Sequence, residues 1–339
     1  MPGVCQRVGD CLFYCGEVLE MMAQLADASV HLIVADPPYF RVKAETWDRQ
    51  WPSHEKYLDW LGVLAKEWRR ILTPNGSLYC FASPHMAARV EVMLSDTFHI
   101  LNHITWRKHD GSGAGTGGHS KVSAADLMRF FPQSERLIFA EQYTSEAYAL
   151  GESGYQHEER SLRISLFSGP ILEAMHGTHT TAKEVTEGIG AYGNINHGGA
   201  VSNWLQGYNI PTKSQYEAMR IFFNSRNGRI DYLRREYEDL RRPFSVIKAG
   251  PYTDVWDFAT VQASSGKHPC EKPIPLLRHI ITTSSRPGDT ILDPMAGSGS
   301  TAEAAKQCGR HCISIEQDRR WYDLSISRVQ QELLFAEVP

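Results

Sequence analysis

A short apolar run that stops at two consecutive prolines limits the folds open to this chain. The run Val30–Ala35 is apolar except for His31, and an Asp-Pro-Pro-Tyr tetrad at 36–39 follows it directly. Because proline has no N–H to donate to a sheet, the run is predicted to be a short buried strand that ends before the tetrad. Apolar residues at helical spacing over 18–26 and 57–72 predict a helix on either side of this strand.

Strands and helices alternate at both ends of the chain. Further predicted strands lie at 77–81, 99–106, 136–140, 289–293 and 312–316, and further predicted helices at 274–284, 302–308 and 320–335. This alternation is typical of an α/β fold with a doubly wound, mostly parallel, Rossmann-like sheet and helices on both faces.

The middle of the chain differs from both ends in its sequence pattern. At 339 residues the chain is longer than one hydrophobic core usually serves, so an inserted module is expected. Residues 143–264 carry Gly-rich pieces and a charged run, 214–242, that is predicted to be helical. We therefore predict a core formed by 1–142 and 265–339, interrupted by a mainly helical insertion at 143–264.

The cysteines and the apolar runs indicate a compartment. Seven cysteines are present without a C-x-x-C pair, which favours reduced thiols over disulfides or a zinc site. The first residues do not have the pattern of a signal peptide, and no apolar run approaches the length of a membrane span. We expect a soluble, cytoplasmic protein that needs no metal and contacts no membrane.

A strand-to-helix turn near the C-terminus has the features of a nucleoside site. The strand at 289–293 ends in Asp293, and Gly297 and Gly299 lie in the turn that follows. Glu316 closes the next strand, nineteen residues beyond Gly297, where an acid can accept both ribose hydroxyls. The turn lacks the Lys of a phosphate-binding loop, which favours a ligand without phosphates, such as S-adenosylmethionine. A tight turn beside a solvated acid explains the same residues equally well.

The tetrad forms a second candidate site. A carboxylate at the end of a strand, a rigid Pro-Pro and an aromatic ring make a preorganised slot for a flat ring with an exocyclic amine. Asp36 can accept one N–H, a backbone carbonyl of the turn can accept the other, and Tyr39 can stack on the ring. The alternative is a proline-capped strand with a surface tyrosine.

Together the two motifs resemble those of the DNA amino-methyltransferases, which use S-adenosylmethionine to methylate exocyclic amines. The tetrad precedes the cofactor motif, which is the order of the β class. Supporting matches are Gly9-Asp10, 67–77 and 267–273, and the resemblance covers 8–108 and 266–330. An Asp at the first position of the tetrad resembles the adenine-modifying branch, because cytosine-amine enzymes more often carry Ser there.

The resemblance implies a role for each matched residue. The catalytic pocket would consist of Asp36, Pro37, Pro38 and Tyr39. The residues implied in cofactor binding are Asp10, Cys11, Asp36, Lys272, Pro273, Asp293, Gly297, Gly299 and Glu316. Asp10 and Cys11 would lie by the adenine ring of the cofactor, and Lys272 would pair with its carboxylate. Transfer would be a direct in-line displacement onto a base flipped out of the duplex.

Two short helical segments in the insertion are candidates for reading DNA. Residues 180–187 and 199–207 resemble a repressor-type helix-turn-helix, in which Asn203 and Gln206 are suited to adenine edges. Their connection is long and Gly-rich for that motif. An ordinary packed helix pair with Trp204 in its core is the alternative.

Charge gives an ambiguous prediction about nucleic acid. The net charge of −4 argues against a DNA partner, yet nine Lys plus Arg oppose five acids over 205–250. The candidate DNA-binding arginines are Arg220, Arg226, Arg229, Arg234 and Arg235. A solvated charged face is the alternative for this run. The Gly-rich segment 109–119 is either a linker or a loop that closes on DNA.

The sequence therefore favours a site-specific DNA adenine methyltransferase that acts on double-stranded DNA with S-adenosylmethionine as its cofactor. The alternatives are a cytosine-N4 enzyme, a catalytically silent DNA-binding regulator and, with less support, an enzyme that acts on RNA. A homodimer is implied by the resemblance alone.

Overall fold

The structure, a computed structural model, divides the chain into two compact units. The residues it describes are 4–42, 45–109, 130, 132–142, 160–161, 163–192, 198–226, 231–246, 250–262 and 268–336, with side chains described up to 330. The first unit comprises Met1–Gln142 and Pro243–Pro339, and the second is Tyr143–Arg242.

The first unit contains a nine-stranded sheet. Its strands are β1 (Val4–Val8), β2 (Cys11–Cys15), β3 (Val30–Ala35), β4 (Leu72–Ala82), β5 (Phe98–His109), β6 (Ser134–Gln142), β7 (Val255–Ala259), β8 (Thr290–Asp293) and β9 (His311–Glu316). They lie in the order β1-β2-β9-β8-β3-β4-β6-β5-β7. The pairs β1–β2, β4–β6 and β5–β6 are antiparallel, and the other neighbours are parallel. The predicted α/β fold with a mostly parallel sheet is confirmed.

Ten α-helices lie among the described residues. They are α1 (Val18–Met22), α2 (His54–Ile71), α3 (Ala87–Ser95), α4 (Gly169–Thr178), α5 (Ala182–Gly188), α6 (Gly199–Leu205), α7 (Lys213–Arg226), α8 (Ile274–Ser284), α9 (Ser300–Gln307) and α10 (Arg319–Ala336). In the part of the chain that the structure describes, no helix combines the length and the apolar character needed to cross a bilayer.

The sheet of the first unit is covered by helices on both faces. Leu32 and Val34 belong to one hydrophobic cluster, while Ile33 and Ala35 belong to another. Successive side chains of a strand point to opposite faces, so the two clusters lie on opposite sides of the sheet. Helix α8 contributes to the first cluster and α2 to the second. Burial on both faces explains why β3 is a continuous apolar run.

Several element boundaries differ from the predictions. Helix α1 ends at Met22 rather than at residue 26, and β4 begins at Leu72 rather than at 77. The register of β4 against β3 passes from the pair Val30–Leu72 to the pair Leu32–Ser77, so the extra residues of β4 form a bulge. A bulge with a proline and a glycine has the sequence of a turn, which is why the strand was predicted to start after it.

The sequence did not predict β1, β2 or β7. Strand β7 pairs in parallel with β5 through contacts such as Trp106–Trp256, which places it in the first unit. The second unit therefore ends at Arg242, whereas the predicted insertion extended to residue 264. Strands of five residues carry too weak a periodic signal to be recognised, and β2 and β7 also pair with strands that are distant in sequence.

The second unit has a hydrophobic cluster of its own. Side chains from α4 to α7 form it, together with a π-helical turn at Ile164–Ser168 and a 3-10 turn at Tyr237–Leu240. The predicted helix at 214–242 was wrong beyond Arg226, where α7 ends. Leu233 has a φ of 53° and is buried with Tyr232 in this cluster, and an uninterrupted helix would not allow that φ.

Candidate active site

The carboxyl ends of neighbouring parallel strands form one cavity in the first unit. Strands β9, β8 and β3 are adjacent and parallel, and they end next to Glu316, Asp293 and Asp36. A cavity of about 910 Å³ opens at this edge, and all three carboxylates line it. Ligands of α/β sheets bind at this edge, so the fold brings the two predicted motifs into one candidate site.

Most of the predicted site residues line this cavity. They are Asp36, Pro37, Pro38, Tyr39, Lys272, Asp293, Gly297 and Glu316. Asp10 and Cys11 do not reach it, because β2 runs parallel to β9 and both residues lie at the opposite end of the strand pair. Cys11 is buried in a hydrophobic cluster, and Asp10 lies 3.6 Å from His311.

Two other predicted residues also lie outside the lining of the cavity. Pro273 precedes α8 as its N-cap residue. Gly299 caps α9 with a φ of 76°, and a Cβ at this position would lie 2.6 Å from the Cβ of Ser325. Both residues shape the elements around the site, and the structure gives neither of them a contact with the cavity.

Asp36, which lines the cavity, has one open oxygen, meaning a carboxylate oxygen without a hydrogen-bond partner. Its Oδ2 accepts a hydrogen bond from the Lys272 Nζ at 2.5 Å. Its Oδ1 is buried and has no hydrogen-bond partner among the described residues. Burial raises the pKa of Asp36, and the positive charge of Lys272 opposes that rise. The carboxylate is thus held ready to accept a hydrogen bond at Oδ1.

Two residues that the sequence did not single out complete this part of the site. Glu135 is the second residue of β6 and accepts a hydrogen bond from the Tyr39 hydroxyl at 2.8 Å. Lys108, near the end of β5, donates to the other carboxylate oxygen of Glu135. Neither residue lies in a motif, and only the pairing of β5 with β6 brings them to the cavity.

Lys272 lines the cavity and contacts two of its carboxylates. Its Nζ lies between two carboxylates, 2.5 Å from Asp36 and 3.5 Å from Glu135. It also lies over the rings of Tyr39 and Phe81, at 5.2 and 4.8 Å from their centroids. These contacts place Lys272 beside the tetrad, and they do not test its predicted pairing with a cofactor carboxylate.

Aromatic side chains form the walls of the cavity. Phe81 and Trp106 line it beside the tetrad, and their rings meet edge to face at 6.4 Å. At another part of the lining, the His268 ring stacks on Trp47 at 6.4 Å and meets Trp321 edge to face at 4.7 Å. A lining of this kind suits flat heterocycles.

The remaining carboxylates organise the turn after β8. Glu316 accepts the backbone N–H of Gly297 at one oxygen and that of Asp318 at the other, both at 2.8 Å. Asp293 accepts the N–H of Met295 at 3.1 Å, and burial raises the pKa of Asp293 to about 7. Gly297 has a φ of 48°, and a Cβ there would lie 3.1 Å from the His268 ring.

The charges around the cavity suit S-adenosylmethionine better than a phosphorylated nucleotide. The described lining residues include two lysines, Lys108 and Lys272, and no arginine. Both lysines are paired with carboxylates. Glu316 keeps free lone pairs that can accept ribose hydroxyls. A polyphosphate would find no unpaired cation here, whereas a cationic sulfonium nucleoside meets acceptor groups.

The predicted DNA-reading residues lie in the second unit. Helices α5 and α6 exist as predicted, with a capping box between Thr181 and Glu184 at the start of α5. Trp204 is fully buried in the hydrophobic cluster, as the packed-pair alternative requires. Asn203 is half-buried and Gln206 is exposed, so Gln206 remains accessible to a ligand.

The predicted DNA-binding arginines differ in their surroundings. Arg220 pairs with Glu236 at 2.7 Å and with Glu217 at 3.6 Å, which neutralises its charge locally. Arg226 is exposed and lies over the ring of Phe222. Of the other predicted arginines, Arg234 and Arg235 are exposed. Arg229 and residues 110–119 of the Gly-rich segment lie outside the described residues.

Comparison with known proteins matches most of the chain to one family. Residues 30–327 match the family model of N6 and N4 methyltransferases that is described as DNA methylase. The chain is 24% identical over 322 residues to the DNA adenine methyltransferase YhdJ of Escherichia coli K12, which covers 93% of this chain and 81% of that protein.

One solved structure shares the fold at low sequence identity. The PvuII DNA methyltransferase, which is cytosine-N4-specific, superposes with a TM-score of 0.54 and 13% identity over 96% of this chain and 93% of that chain. The M1.HpyAVI complex with S-adenosylmethionine has a TM-score of 0.49 and 16% identity, over 94% and 98% of the two chains.

Proposed function

The chain belongs to the DNA methylase family of N6 and N4 methyltransferases, for which S-adenosylmethionine is the methyl donor, and on that premise we propose that it methylates the N6 amine of adenine in DNA. Two observations support adenine over cytosine. The first residue of the tetrad is Asp36, and the E. coli relative is named as an adenine enzyme. Cytosine-N4 is the second candidate, because the PvuII enzyme of that specificity shares the fold.

The open oxygen of Asp36 is the observation that carries this proposal. A buried acceptor without a partner costs free energy unless a ligand supplies the donor. The Oδ1 atom of Asp36 is such an acceptor, and Asp36 lines the cavity together with Phe81 and Trp106. An exocyclic amine provides the missing N–H group, and the ring of Tyr39 is a surface on which a flat base can stack.

The chemistry of the amine explains why this oxygen matters. The N6 lone pair of adenine is delocalised into the ring, so the amine is a poor nucleophile. Hydrogen bonds from its N–H groups to Asp36 Oδ1 and to the Pro37 carbonyl favour a tetrahedral nitrogen with a directed lone pair. S-adenosylmethionine, when bound, supplies an electrophilic methyl group on a sulfonium. The contribution of the protein is positioning and electrostatics.

Asp36 also accounts for the proton that leaves the amine. Methylation leaves the nitrogen positively charged until it loses one N–H proton. We propose that the open Oδ1 of Asp36 accepts that proton, provided that Asp36 is ionised beforehand. Lys272 favours that ionised form through its contact with Oδ2.

The other lining residues would hold the cofactor. Glu316 is assigned to the ribose hydroxyls, and Asp293 and Gly297 to the turn that borders the nucleoside. Lys272 is assigned to Asp36 rather than to the cofactor carboxylate, because both of its measured ion pairs are with residues of the site.

DNA recognition is assigned to the second unit. Gln206 on the exposed end of α6, with Asn203, is proposed to read base edges, and Arg226, Arg234 and Arg235 to contact phosphates. The target adenine must leave the duplex to reach Asp36, at a cost on the order of a few kcal/mol. The homodimer implied by the resemblance stays a prediction.

Labelled methyl transfer tests the proposal. Unmethylated duplex DNA is incubated with protein and methyl-labelled S-adenosylmethionine, and the DNA is then digested to nucleosides. We expect the label in N6-methyldeoxyadenosine. Label in N4-methyldeoxycytidine would establish the second candidate instead. DNA binding without any transfer would indicate a silent regulator, and transfer confined to a matched RNA would contradict DNA as the substrate.

A further inference from the structure

We propose that Glu135 is a positioning residue for methyl transfer, which fixes the Tyr39 hydroxyl and holds Lys272 against one side of Asp36. The inference rests on the function proposed above and assigns a role to a residue outside both motifs. It follows from the contacts of Glu135, from the open oxygen of Asp36 and from the balance of charge in the cavity.

Glu135 is bound by three donors from three parts of the chain. Its Oε2 accepts from the Tyr39 hydroxyl at 2.8 Å and lies 3.5 Å from the Lys272 Nζ, while its Oε1 is paired with Lys108. Its side chain is 12% exposed, so water competes little for these contacts. A carboxylate held at both oxygens has a fixed orientation, and it therefore fixes the positions of the groups that donate to it.

The first consequence concerns Tyr39. The tyrosine follows the two prolines of the tetrad, and its ring is the proposed stacking surface for the base. The hydrogen bond to Glu135 fixes the far end of the ring, while the backbone of the tetrad fixes the near end. Without Glu135, the ring could rotate about its side-chain bonds, and the base would be held less exactly.

The second consequence concerns Lys272 and Asp36. A lysine ammonium has three N–H groups and a flexible stem, so a single partner does not fix its position. Lys272 has two carboxylate partners, which keep its Nζ on the Oδ2 side of Asp36. The Oδ1 atom consequently remains open. Loss of Glu135 removes the second anchor and allows Lys272 to move towards Oδ1, where it would compete with the amine.

The third consequence concerns charge. Asp36 and Glu135 are balanced by Lys108 and Lys272, so removal of one carboxylate leaves an excess positive charge near Asp36. The titratable groups whose pKa values are coupled to that of Asp36 are Lys272, Glu135, Tyr39, Tyr57, Cys80 and Asp293. Of these, Lys272 lowers the pKa of Asp36 by its charge, Glu135 raises it, and a hydrogen bond from Tyr39 lowers it. The neutral variant Glu135→Gln should therefore lower the pKa of Asp36.

A matched control lies on the same strand. Glu141 is also a buried glutamate of β6, but its partner is His99 at 3.1 Å, and neither residue lines the cavity. The variant Glu141→Gln removes the same charge from the same strand. It reports what the loss of a buried carboxylate from β6 does to folding, without touching the site.

The experiment compares Glu135→Gln and Glu141→Gln with the natural protein. Single-turnover methyl transfer to duplex DNA is measured across pH, and S-adenosylmethionine affinity is measured by calorimetry. For Glu135→Gln we expect methyl transfer to be about 10- to 100-fold slower, while cofactor affinity changes less than about threefold. The acid limb of the profile of rate against pH should shift down by on the order of one pH unit. Glu141→Gln should keep the rate and the pH profile.

A second variant keeps the inference testable if Glu135→Gln does not fold. The Lys108 side chain is 26% exposed, more than that of Glu135, so Lys108→Gln is expected to be tolerated. It leaves the negative charge of Glu135 less compensated, and the acid limb should then move to higher pH, opposite to the first variant.

Two results would overturn the inference. One is a Glu135→Gln protein, folded and binding cofactor, with the rate and pH profile of the natural protein. The other is an acid limb that does not move upward in Lys108→Gln. Either result applies only when the natural protein transfers methyl groups to DNA, so a failure of the proposed function is recognised separately, in the natural protein itself.

Discussion

At the residue scale, the chemistry of the site depends on which oxygens are already engaged. Asp36 uses Oδ2 for Lys272 and keeps Oδ1 open, while Glu135 uses both oxygens for its donors. Two carboxylates in one cavity thereby acquire different roles. The open oxygen belongs to the residue proposed to contact substrate, and the saturated carboxylate belongs to the residue proposed to position it.

The sequence predicts the residues of the site better than their partners. The tetrad, Gly297 and Glu316 were all found, because a strand that ends in a carboxylate or a glycine turn is visible in one segment of chain. Glu135 and Lys108 were missed, because each is an ordinary strand residue until β5 and β6 pair. Lys272 was found through the resemblance, but its neighbour Asp36 lies more than two hundred residues away.

Asp293 should make the stability of the protein depend on pH. Burial raises its folded-state pKa to about 7, above the value of an unfolded aspartate. The stability that this difference contributes is complete below the unfolded pKa and is lost as pH rises through about 7. Between about pH 5 and about pH 8, the natural protein should lose on the order of 2 kcal/mol more unfolding free energy than Asp293→Asn.

Urea unfolding at several pH values measures this difference. Asparagine keeps an oxygen for the Met295 N–H, so the variant preserves the turn while it removes the titration. A difference in unfolding free energy between the two proteins that does not change with pH would contradict the assignment.

At the element scale, three parallel strand ends create the site. Strands β3, β8 and β9 were predicted because apolar runs that end in prolines, glycines or acids are strong signals. Strand β7 was not predicted, because its position is fixed by β5 and not by its own sequence. The bulge in β4 was taken for a turn for the same reason: its pairing with β3 is a tertiary contact.

The turn between β8 and α9 requires glycine at position 299 for two reasons. Gly299 has a φ of 76°, which an L-residue adopts only at a cost, and a Cβ there would clash with Ser325 of α10. Gly288 provides a matched control, since its φ is 84° but nothing lies within 4 Å of an added Cβ. Gly288→Ala should cost about 1–2 kcal/mol of stability, and Gly299→Ala should cost clearly more.

Thermal and urea unfolding of the two alanine variants test this prediction. The backbone cost is common to both, so the difference between them reports the contact with Ser325. Equal losses of stability in the two variants would show that α10 does not constrain the turn.

At the scale of the whole molecule, charge is distributed unevenly. The net charge of −4 averages an acidic remainder with a stretch, 205–250, in which nine basic residues oppose five acids. The composition alone argued against DNA, and the local excess shows why that argument was too coarse. The insertion was expected from length, but its C-terminal boundary required the pairing of β7 with β5.

The exposed arginines of the second unit should contribute to the salt dependence of DNA binding. Each phosphate contact adds about one to the slope of log affinity against log salt. Replacing Arg234 and Arg235 together by alanine should therefore reduce the slope by about two. Fluorescence anisotropy of a labelled duplex at several salt concentrations measures it.

Arg220→Ala is the control for the charge experiment. Arg220 is already paired with Glu217 and Glu236, so its loss should leave the slope nearly unchanged. An unchanged slope in the double variant would remove Arg234 and Arg235 from the proposed interface, and an equal fall in the control would make the effect nonspecific.

The most direct measurement of the central claim is single-turnover methyl transfer by Asp36→Ala, together with its affinity for S-adenosylmethionine. If the open oxygen of Asp36 holds the amine, transfer should fall at least about 100-fold, while cofactor affinity changes less than about threefold. Transfer at the natural rate would contradict the claim, and a comparable loss of cofactor binding would show that Asp36 serves the cofactor rather than the amine.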